Sequence, residues 1–409
     1  MKNTNLDLVG IKKQTIKTIL WLERYVQGTW TLNQKTGLID IRGDFRCTEK
    51  GLKNFKGLKF GVVTGSFSCA FNNLKSLEGA PVEVGNDFHC QGNHLTSLAH
   101  APKKVGGDFD CSKNSLTLLE GCPEEIFGDF ECDNNKLTSL KGGPKKVEGF
   151  YSCEHNLITS LLDAPKHLGS GFNCSANKIT ALTGLPNKLG GGLQCHTNRI
   201  ESLDGCPQEI LLEFDCSNNL LTSLKGGPKK VGGSYYCSNN KLTQLEGIQE
   251  NIEESFDCSG NKLANLVGSP KIVGYQYDCS NNALTSLIGG PEKVGDDFHC
   301  NNNKLTNLEG APKSIGDRFL CHNNSLTSLE GATIEVSGIC NFENNAVSSA
   351  ALDVIHDTMM EKGVDYFIAL SMAKKWIHSQ SWKKLNSNKN VTEEVMAGVS
   401  LLDRIGTFS

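Results

Sequence analysis

The cysteines are the residues whose spacing most invites chemistry. The chain of 409 residues holds 17 cysteines. From Cys90 to Cys321 a cysteine recurs every 21 residues without a gap, and Cys69 and Cys47 extend this ladder toward the N-terminus. A regular row of thiols raises three chemical hypotheses, namely disulfides, a metal site and a nucleophile.

The spacing favours a structural role over these three. Metal-binding cysteines usually come in close pairs such as Cys-x2-Cys, and the ladder has no such pair. Thiols in register would lie within disulfide range but point together into a dry core. We therefore predict buried thiols that act as small apolar residues, with no metal and no cofactor. Cys122 and Cys206 lie off the ladder.

A second group of residues could perform acid–base or metal chemistry. Asp257, Asp278 and His299 occupy equivalent positions one residue before successive ladder cysteines. Carboxylates beside an imidazole suit proton transfer or metal binding. A solvated row is the interpretation we favour, because no pocket closes over an open sheet. We therefore predict that the protein is not an enzyme.

The residues around each cysteine define a repeat of 21 residues. Asn follows the cysteine by three positions, and Leu or Ile follows by five and eight. Val, Ile or Leu precedes it by six, and an aromatic residue precedes it by two, as in Phe88, Phe109, Phe130, Tyr151, Phe172 and Phe214. Phe342 takes the cysteine position and Cys340 the aromatic position in the last unit, so the sequence contains 15 units.

Each unit predicts one coil of a solenoid. Phe-x-Cys alternates apolar residues as a strand does, with both side chains on one face. The Asn then turns the chain, and Leu-x-x-Leu returns apolar groups to the core. Gly-x-Pro closes the coil. No window is long enough for a regular helix, and one coil cannot bury its apolar face alone, so the coils must stack with parallel strands.

This unit resembles the leucine-rich repeat. Phe-x-Cys-x-x-Asn-x-Leu matches the core positions of that consensus, and the Leu-Thr-Ser-Leu-x-Gly-x-Pro tail is similar to short repeats of bacterial effectors. Gly-Gly-Asp-Phe-Asp-Cys-Ser at 106–112 and Leu-Thr-Ser-Leu-Glu-Gly-Ala at 326–332 also resemble repeat proteins of tailed-phage genomes. The resemblance implies a solenoid with a parallel sheet on its concave face and little helix in the repeats.

The two ends of the chain predict caps. Leu8 to Val26 has the apolar spacing of an amphipathic helix, and a hairpin-like segment follows at Thr29–Ile41. The C-terminal part predicts three helices, and a basic face surrounds Trp376 and Trp382. We expect a helical cap with a hairpin at 1–42, a solenoid at 43–347 and a helical cap at 348–409. The second cap is alternatively a second binding site.

Three rows of residues should line the concave face of the predicted solenoid. They lie three residues before, one before and one after each ladder cysteine, and we call them the first, second and third rows. Seven carboxylates fall there within four coils: Asp87, Asp108, Asp110, Asp129, Glu131, Asp133 and Glu154. Like charges on adjacent strands are unfavourable, which suggests a basic partner. The alternative is that these charges only keep the sheet soluble.

Further residues on this face could contact a partner. Aromatic rings and imidazoles are common contact groups at binding surfaces. The candidate partner-binding residues therefore also include Phe150, His155, Tyr236, Tyr275, His196 and the row of Asp257, Asp278 and His299. Lysine pairs such as Lys103-Lys104 and Lys145-Lys146 lie before the strands, away from this face. Glu124-Glu125 interrupts them, so we expect a solvated edge and no direct binding of nucleic acid.

The sequence therefore predicts a protein-binding scaffold without enzymatic activity. Its partner has a basic or mixed surface, and the phage resemblance suggests a host protein, including one of host defence. The alternatives are an acidic mimic of nucleic acid and a structural component of a virion. No apolar run is long enough to span a membrane, and Met1 to Gln14 lacks the apolar core of a secretion signal. We expect a cytoplasmic location, in the host if the protein is phage-encoded, where thiols stay reduced.

Overall fold

The computed structural model describes residues 13–327, 331, 335–338, 340–342 and 344–345. The chain divides into an N-terminal unit, Met1–Leu220 with Gly226–Lys230, and a C-terminal unit, Leu221–Lys225 with Val231–Ser409. The domain bounds at 42/43 and 347/348 stay predictions. The predicted C-terminal cap lies outside the described residues.

The described chain begins with a helix and a hairpin, as predicted for this end. Helix α1 spans Lys13–Tyr25, and strands β1, Val26–Leu32, and β2, Ile39–Arg46, pair antiparallel. The predicted helix end at Val26 is wrong by one residue, because the helix ends at Tyr25 and Val26 begins β1. The ring centroid of Trp21 lies 5.9 Å from that of Phe45, so the helix covers the core of the first coil.

Each coil of the N-terminal unit contributes two short strands. The ladder strands hold the aromatic residue before the cysteine, and they are Phe67–Ser68, Phe88–His89, Phe109–Asp110, Phe130–Glu131, Tyr151–Ser152, Phe172–Asn173, Leu193–Gln194 and Phe214–Asp215. The edge strands precede them, and they are Phe60–Val63, Glu83–Val84, Lys104–Val105, Glu125–Ile126, Lys146–Val147, His167–Leu168, Lys188–Leu189 and Glu209–Ile210. Neighbouring ladder strands pair parallel, one coil apart in register, as in Phe109↔Phe130↔Tyr151.

The C-terminal unit repeats this arrangement. Its ladder strands are Tyr235–Tyr236, Phe256–Asp257, Tyr277–Asp278, Phe298–His299, Phe319–Leu320 and Cys340–Asn341. Its edge strands are Asn251–Ile252, Ile272–Val273, Lys293–Val294, Ser314–Ile315 and Glu335–Val336, and Lys230–Val231 lies at the boundary of the two units. Among the described coils after Arg46 no helix occurs, which confirms the predicted helix-free repeat. The described part contains no helix long and apolar enough to cross a membrane.

The aromatic residues and the cysteines form the core, as the period predicts. From Phe88 to Tyr151, the ring centroids of neighbouring coils lie 4.9–5.7 Å apart. The ladder cysteines from Cys47 to Cys321 are buried, and none of them forms a disulfide. Burial raises the pKa of thiols such as Cys132 far above the ordinary range. Since the thiolate is the reactive form, these residues act as apolar core groups.

The asparagine ladder connects consecutive coils, also as predicted. Asn135 Oδ1 accepts from Leu116 N of the preceding coil at 2.9 Å. Its Nδ2 donates to Cys111 O of the preceding coil and to Cys132 O of its own coil, both at 3.1 Å. The amide thus satisfies backbone groups that the turn would otherwise bury unpaired. Asn114, Asn156, Asn177 and Asn198 repeat the arrangement.

The residue before each ladder asparagine takes a left-handed conformation that the sequence did not reveal. In most coils this position is not glycine, and φ is +52° at Lys113, +53° at Asn134 and +51° at His155. Left-handed backbone reverses the chain direction sharply. The side chain at this position therefore projects from the turn and is not part of the three rows.

Candidate binding surface

The three rows lie on the face of the ladder strands opposite the core, which we call the open face. Strand geometry explains this placement, because side chains alternate between the two faces of a strand. Phe130 and Cys132 are fully buried, whereas Asp129, Glu131 and Asp133 between and beside them are partly exposed. The structure thus brings together the seven carboxylates that the sequence singled out.

The first row of carboxylates has a structural role that the sequence did not show. Asp108 Oδ1 accepts from Asp129 N of the next coil at 2.8 Å, and Asp129 Oδ1 accepts from Phe150 N at 2.6 Å. Asp87 Oδ1 accepts from Asp108 N at 3.1 Å. A carboxylate on a backbone N–H makes a charge-assisted hydrogen bond. These hydrogen bonds stabilise the first row, although repulsion between stacked carboxylates alone would destabilise it.

The second row contains turn residues. Asp110 Oδ1 accepts from Ser112 N at 2.9 Å, two residues along the chain, and Asp110 is buried. Asp215 and Ser217 repeat this hydrogen bond at 2.9 Å. Aspartate commonly holds a turn in this way. Asp-x-Ser in these coils is therefore explained by the turn alone.

The third row is hydrogen-bonded along the stack. Asp133 Oδ1 accepts from Ser152 Oγ and from Glu154 N, both at 2.6 Å. Burial raises the pKa of Asp133 above its ordinary value, although these hydrogen bonds oppose the shift. Glu154 Oε2 accepts from Asn173 Nδ2 at 3.0 Å, and Glu154 Oε1 lies 3.0 Å from His155 Nε2.

Glu131 is the exception among the seven carboxylates. No hydrogen bond or ion pair of its side chain is found within the described residues. Burial, followed by the charges of Asp110, Asp133, Asp129 and Asp108, raises its pKa to about 7. No cation of the described part of the chain therefore compensates the like charges around Glu131.

The ion-paired lysines of the described N-terminal unit lie away from these carboxylates. Among the described residues, no basic nitrogen lies within 4 Å of the carboxylates of Asp87, Asp108, Asp110, Asp129, Glu131 or Asp133. We call these six residues the acidic cluster. Along the edge strands, Lys145 Nζ lies 2.8 Å from Glu124 Oε1, and Lys188 Nζ lies 3.0 Å from Glu209 Oε2. The lysine pairs therefore form a charge-paired edge.

The predicted aromatic and imidazole contact residues lie in different environments. Phe150 follows Asp129 in the first row and packs over Gly171, so its ring is only partly exposed. His155 is exposed at the turn position and pairs with Glu154. Tyr236 lies in the second row of the C-terminal unit, opposite Asp257 in register. Tyr275 is 59% exposed, outside the three rows.

The row of Asp257, Asp278 and His299 is contiguous in the C-terminal unit. Asp257 pairs with Asp278 in register, and Asp278 pairs with His299. His299 Nδ1 lies 3.5 Å from Asp278 Oδ2, and this contact raises the pKa of His299. Burial raises the pKa of Asp278, but its hydrogen bonds with His299 and Ser280 outweigh this and lower it overall. Asp257 and Asp278 also hold turns through Ser259 N and Ser280 N, so two of the three side chains have structural roles.

A neighbouring group of three carboxylates was not predicted. Oxygens of Asp296, Asp297 and Asp317 lie within 4.8 Å of one another, a spacing that could hold a cation. Arg318 Nε already lies 3.5 Å from Asp297 Oδ1 and 3.7 Å from Asp317 Oδ2. Asp297 also accepts from Arg318 N, as in the first row of the other unit. A guanidinium thus supplies the positive charge that these carboxylates need.

The comparisons with known proteins concern the fold. No family model and no curated protein matches the sequence. The chain is similar to the solved structure of YopM from Yersinia enterocolitica (18% identity, TM-score 0.44, 82% of this chain and 87% of that one). A second is YopM of Yersinia pestis, described as a leucine-rich effector protein (18%, 0.49, 82% and 95%). A third is the functional domain of InlJ from Listeria monocytogenes, described as including a cysteine ladder (21%, 0.42, 70% and 69%).

The coils themselves define the class of protein. Parallel ladder strands, inward Phe and Cys, and an asparagine that bridges each coil to the previous one constitute a leucine-rich-repeat solenoid. This fold presents one open strand face that runs across many coils. The carboxylates described above lie on that face in the N-terminal unit.

Proposed function

We propose that this protein is a non-enzymatic, protein-binding scaffold whose acidic cluster binds a partner with a basic or mixed surface. The observation that carries the proposal is Glu131, which has four acidic neighbours and no cation partner among the described residues. A partner cation placed there would relieve the repulsion in addition to making its own contacts. Complementary charge of this kind also speeds association.

The arrangement of positive charge argues against a nucleic acid as the direct ligand. Phosphate binding needs lysines or arginines that are free to neutralise it. Lys104, Lys145 and Lys188 are instead paired with glutamates of adjacent coils. The acidic cluster would repel phosphates, so we expect a protein partner.

The finer part of the proposal concerns the setting. The repeat runs that resemble tailed-phage proteins lead us to propose a phage protein that acts in the host cytoplasm. There it would bind and inhibit a host protein, with host defence as the first class to test. Buried reduced thiols are compatible with such a compartment.

One observation favours a second function, mimicry of nucleic acid. The first row places like charges at a repeat of one strand spacing, about 4.8 Å, which is comparable to a charged polymer. Such a mimic would occupy the DNA- or RNA-binding site of its partner. Competition with duplex DNA for the captured partner would distinguish mimicry from ordinary scaffolding.

The test of the proposed function is affinity capture from the lysate of the native host. Glu131→Lys should abolish capture of the wild-type partner, because it reverses charge without removing a hydrogen bond. The matched control is Glu124→Lys, which reverses charge on the exposed edge of the same coil. Equal loss in both variants, or unchanged capture by Glu131→Lys, would move the binding surface elsewhere.

A further inference from the structure

The carboxylates of the acidic cluster differ in the hydrogen bonds that they accept. Asp108 and Asp129 each accept a backbone N–H of the next coil, at 2.8 and 2.6 Å. Asp110 accepts the N–H of Ser112 at 2.9 Å. Hydrogen bonds of this kind favour the charged form, because a carboxylate accepts them with its full charge and a carboxylic acid does not. These three side chains therefore lose hydrogen-bond energy if they take up a proton.

Glu131 is the member of the cluster on which a proton costs no hydrogen bond. Asp133 accepts from Ser152 Oγ and from Glu154 N, both at 2.6 Å, and these hydrogen bonds oppose the effect of burial on its pKa. Asp87 accepts from a backbone N–H at 3.1 Å. The Glu131 side chain accepts no hydrogen bond from the described part of the chain. A proton shared by the cluster therefore belongs on Glu131.

Negative charge faces Glu131 from its own strand and from the preceding strand. Asp129 and Asp133 flank Glu131 along the chain, and Asp110 is its partner in register on the preceding strand. On the following strand the partner in register is Ser152, which carries no charge. Like charges at this distance disfavour ionisation, and they act most on the side chain that lacks hydrogen-bond donors.

Three further titratable side chains lie at the borders of the cluster. His89 is the partner in register of Asp110, on the strand before it. On the other side, Glu154 Oε1 lies 3.0 Å from His155 Nε2. Among the residues that the structure describes, neither imidazole lies within 4 Å of the Glu131 carboxylate. The borders therefore supply no cation to Glu131.

The surroundings of Glu131 place its titration near neutral pH. Burial, followed by the neighbouring charges, raises the pKa of its carboxyl from 4.5 to about 7. Glu131 is also partly exposed, so its carboxyl exchanges protons with the solvent. A change of pH around 7 thus changes the charge of the acidic cluster by about one unit.

We propose that Glu131 is a proton switch for partner binding, so that the acidic cluster binds a cationic partner tightly while Glu131 is ionised and weakly once Glu131 is protonated. This inference rests on the proposed function, because it concerns the same surface. A cation placed among the carboxylates favours their ionised forms, so binding displaces the proton from Glu131. Linkage is reciprocal, and the proton therefore weakens binding by the same factor. The partner is held at pH 8 and released at mildly acidic pH.

The test is the affinity of a dye-labelled oligolysine peptide for the full chain at pH 6 and pH 8. The peptide has blocked ends, so its charge is constant over this range. Because binding lowers a pKa of about 7, the dissociation constant from fluorescence anisotropy should be about tenfold larger at pH 6 than at pH 8. Glu131→Gln should reduce this change to less than about twofold. Glu124→Gln, on the exposed edge of the same coil, should retain it.

Titration calorimetry in two buffers of different ionisation enthalpy counts the displaced protons directly. Binding of the peptide to the wild-type chain should release about one proton at pH 6 and almost none at pH 8. Glu131→Gln should release almost none at either pH. The proton count on the wild-type chain remains decisive if Glu131→Gln does not bind the peptide.

The outcomes separate this inference from the proposed function. If the peptide binds at neither pH, the acidic cluster is not a cation-binding surface and both proposals fail. If it binds equally well at pH 6 and pH 8 without releasing a proton, the switch is overturned while the acidic cluster keeps its support. Glu131→Gln that retains the tenfold change, or the proton release at pH 6, would also overturn the switch and assign the titration to Asp133 or His89.

Discussion

The edge strands and the open face of the N-terminal unit arrange charge in opposite ways. On the edge, Glu83, Lys104, Glu125 and Lys146 alternate in sign from coil to coil, and Lys104 pairs with Glu83 at 3.8 Å. On the open face, Asp87, Asp108 and Asp129 repeat one sign, and Glu131 and Asp110 adjoin in register. One repeat of 21 residues thus carries both patterns.

The difference shows that stacked carboxylates are not imposed by the repeat. Alternation on the edge keeps the sheet soluble with its charges compensated, so solubility alone does not require the acidic cluster. Part of the cluster is nevertheless structural, because the first row binds backbone N–H groups of the next coil. The Glu131 side chain has neither a hydrogen bond nor a cation partner among the residues that the structure describes. It is therefore the residue that most clearly distinguishes a binding surface from a structural row.

The largest expected effect in stability comes from neutralising Glu131. Its pKa is about 7 in the folded chain against an ordinary 4.5, so the folded state binds more protons between these values. The protonated Glu131 carboxyl therefore contributes to the free energy of unfolding below pH 4.5, and this contribution is lost as the pH rises through 7. Glu131→Gln should raise the free energy of unfolding at pH 8 by about 1–2 kcal/mol after allowance for solvent screening.

Urea unfolding of Glu131→Gln at pH 5 and pH 8 checks this effect. The gain over wild type should be larger at pH 8 than at pH 5. Glu148→Gln is the control on the edge, where hydrogen bonds from Lys146 and His167 lower the pKa of the carboxyl and no gain is expected. Equal gains for Glu131→Gln at both pH values would contradict the charge repulsion.

A smaller loss is expected from removing a first-row carboxylate. Asp129→Ala leaves Phe150 N without its acceptor at 2.6 Å and should lower the free energy of unfolding by about 1 kcal/mol. Asp129→Asn keeps an oxygen acceptor and should lose less. The measurement belongs at pH 5, where Glu131 is protonated and relief of repulsion does not mask the loss. No difference between the two variants would remove the structural role of the first row.

The smallest effect is expected on the edge. Lys145 and Glu124 are each 74% exposed, and surface ion pairs of this kind contribute little. Lys145→Ala should change the free energy of unfolding by less than about 0.5 kcal/mol in the same urea experiment. A loss as large as that of Asp129→Ala would mean that the edge is structural as well, and the contrast between the two surfaces would disappear.

The sequence predicted the coil because its apolar residues repeat strictly. Phe130, Cys132, Leu137 and Leu140 are fully buried, and Asn135 bridges its coil to the preceding one as expected. The left-handed turn was missed because its position holds residues as different as Lys113, Asn134 and His155. No single residue type identifies that conformation.

The sequence predicted where the candidate surface lies, but it did not predict which of its carboxylates form structural hydrogen bonds. The period alone places Asp108 and Asp129 in one row, but it does not show that Asp108 Oδ1 reaches the N–H of a residue 21 positions away. The pKa of Glu131 depends on burial and four separate charges, which a single sequence does not specify.

The most direct test of the account is a measurement of the Glu131 pKa by carbon-13 NMR of its side-chain carboxyl. We predict a value of about 7 in the free protein, and a lower value when a lysine-rich peptide binds and compensates the cluster. Glu131→Gln identifies the resonance by its disappearance. An ordinary pKa near 4.5 in the free protein, or a value unchanged by the bound peptide, would contradict an uncompensated acidic surface built to bind a cationic partner.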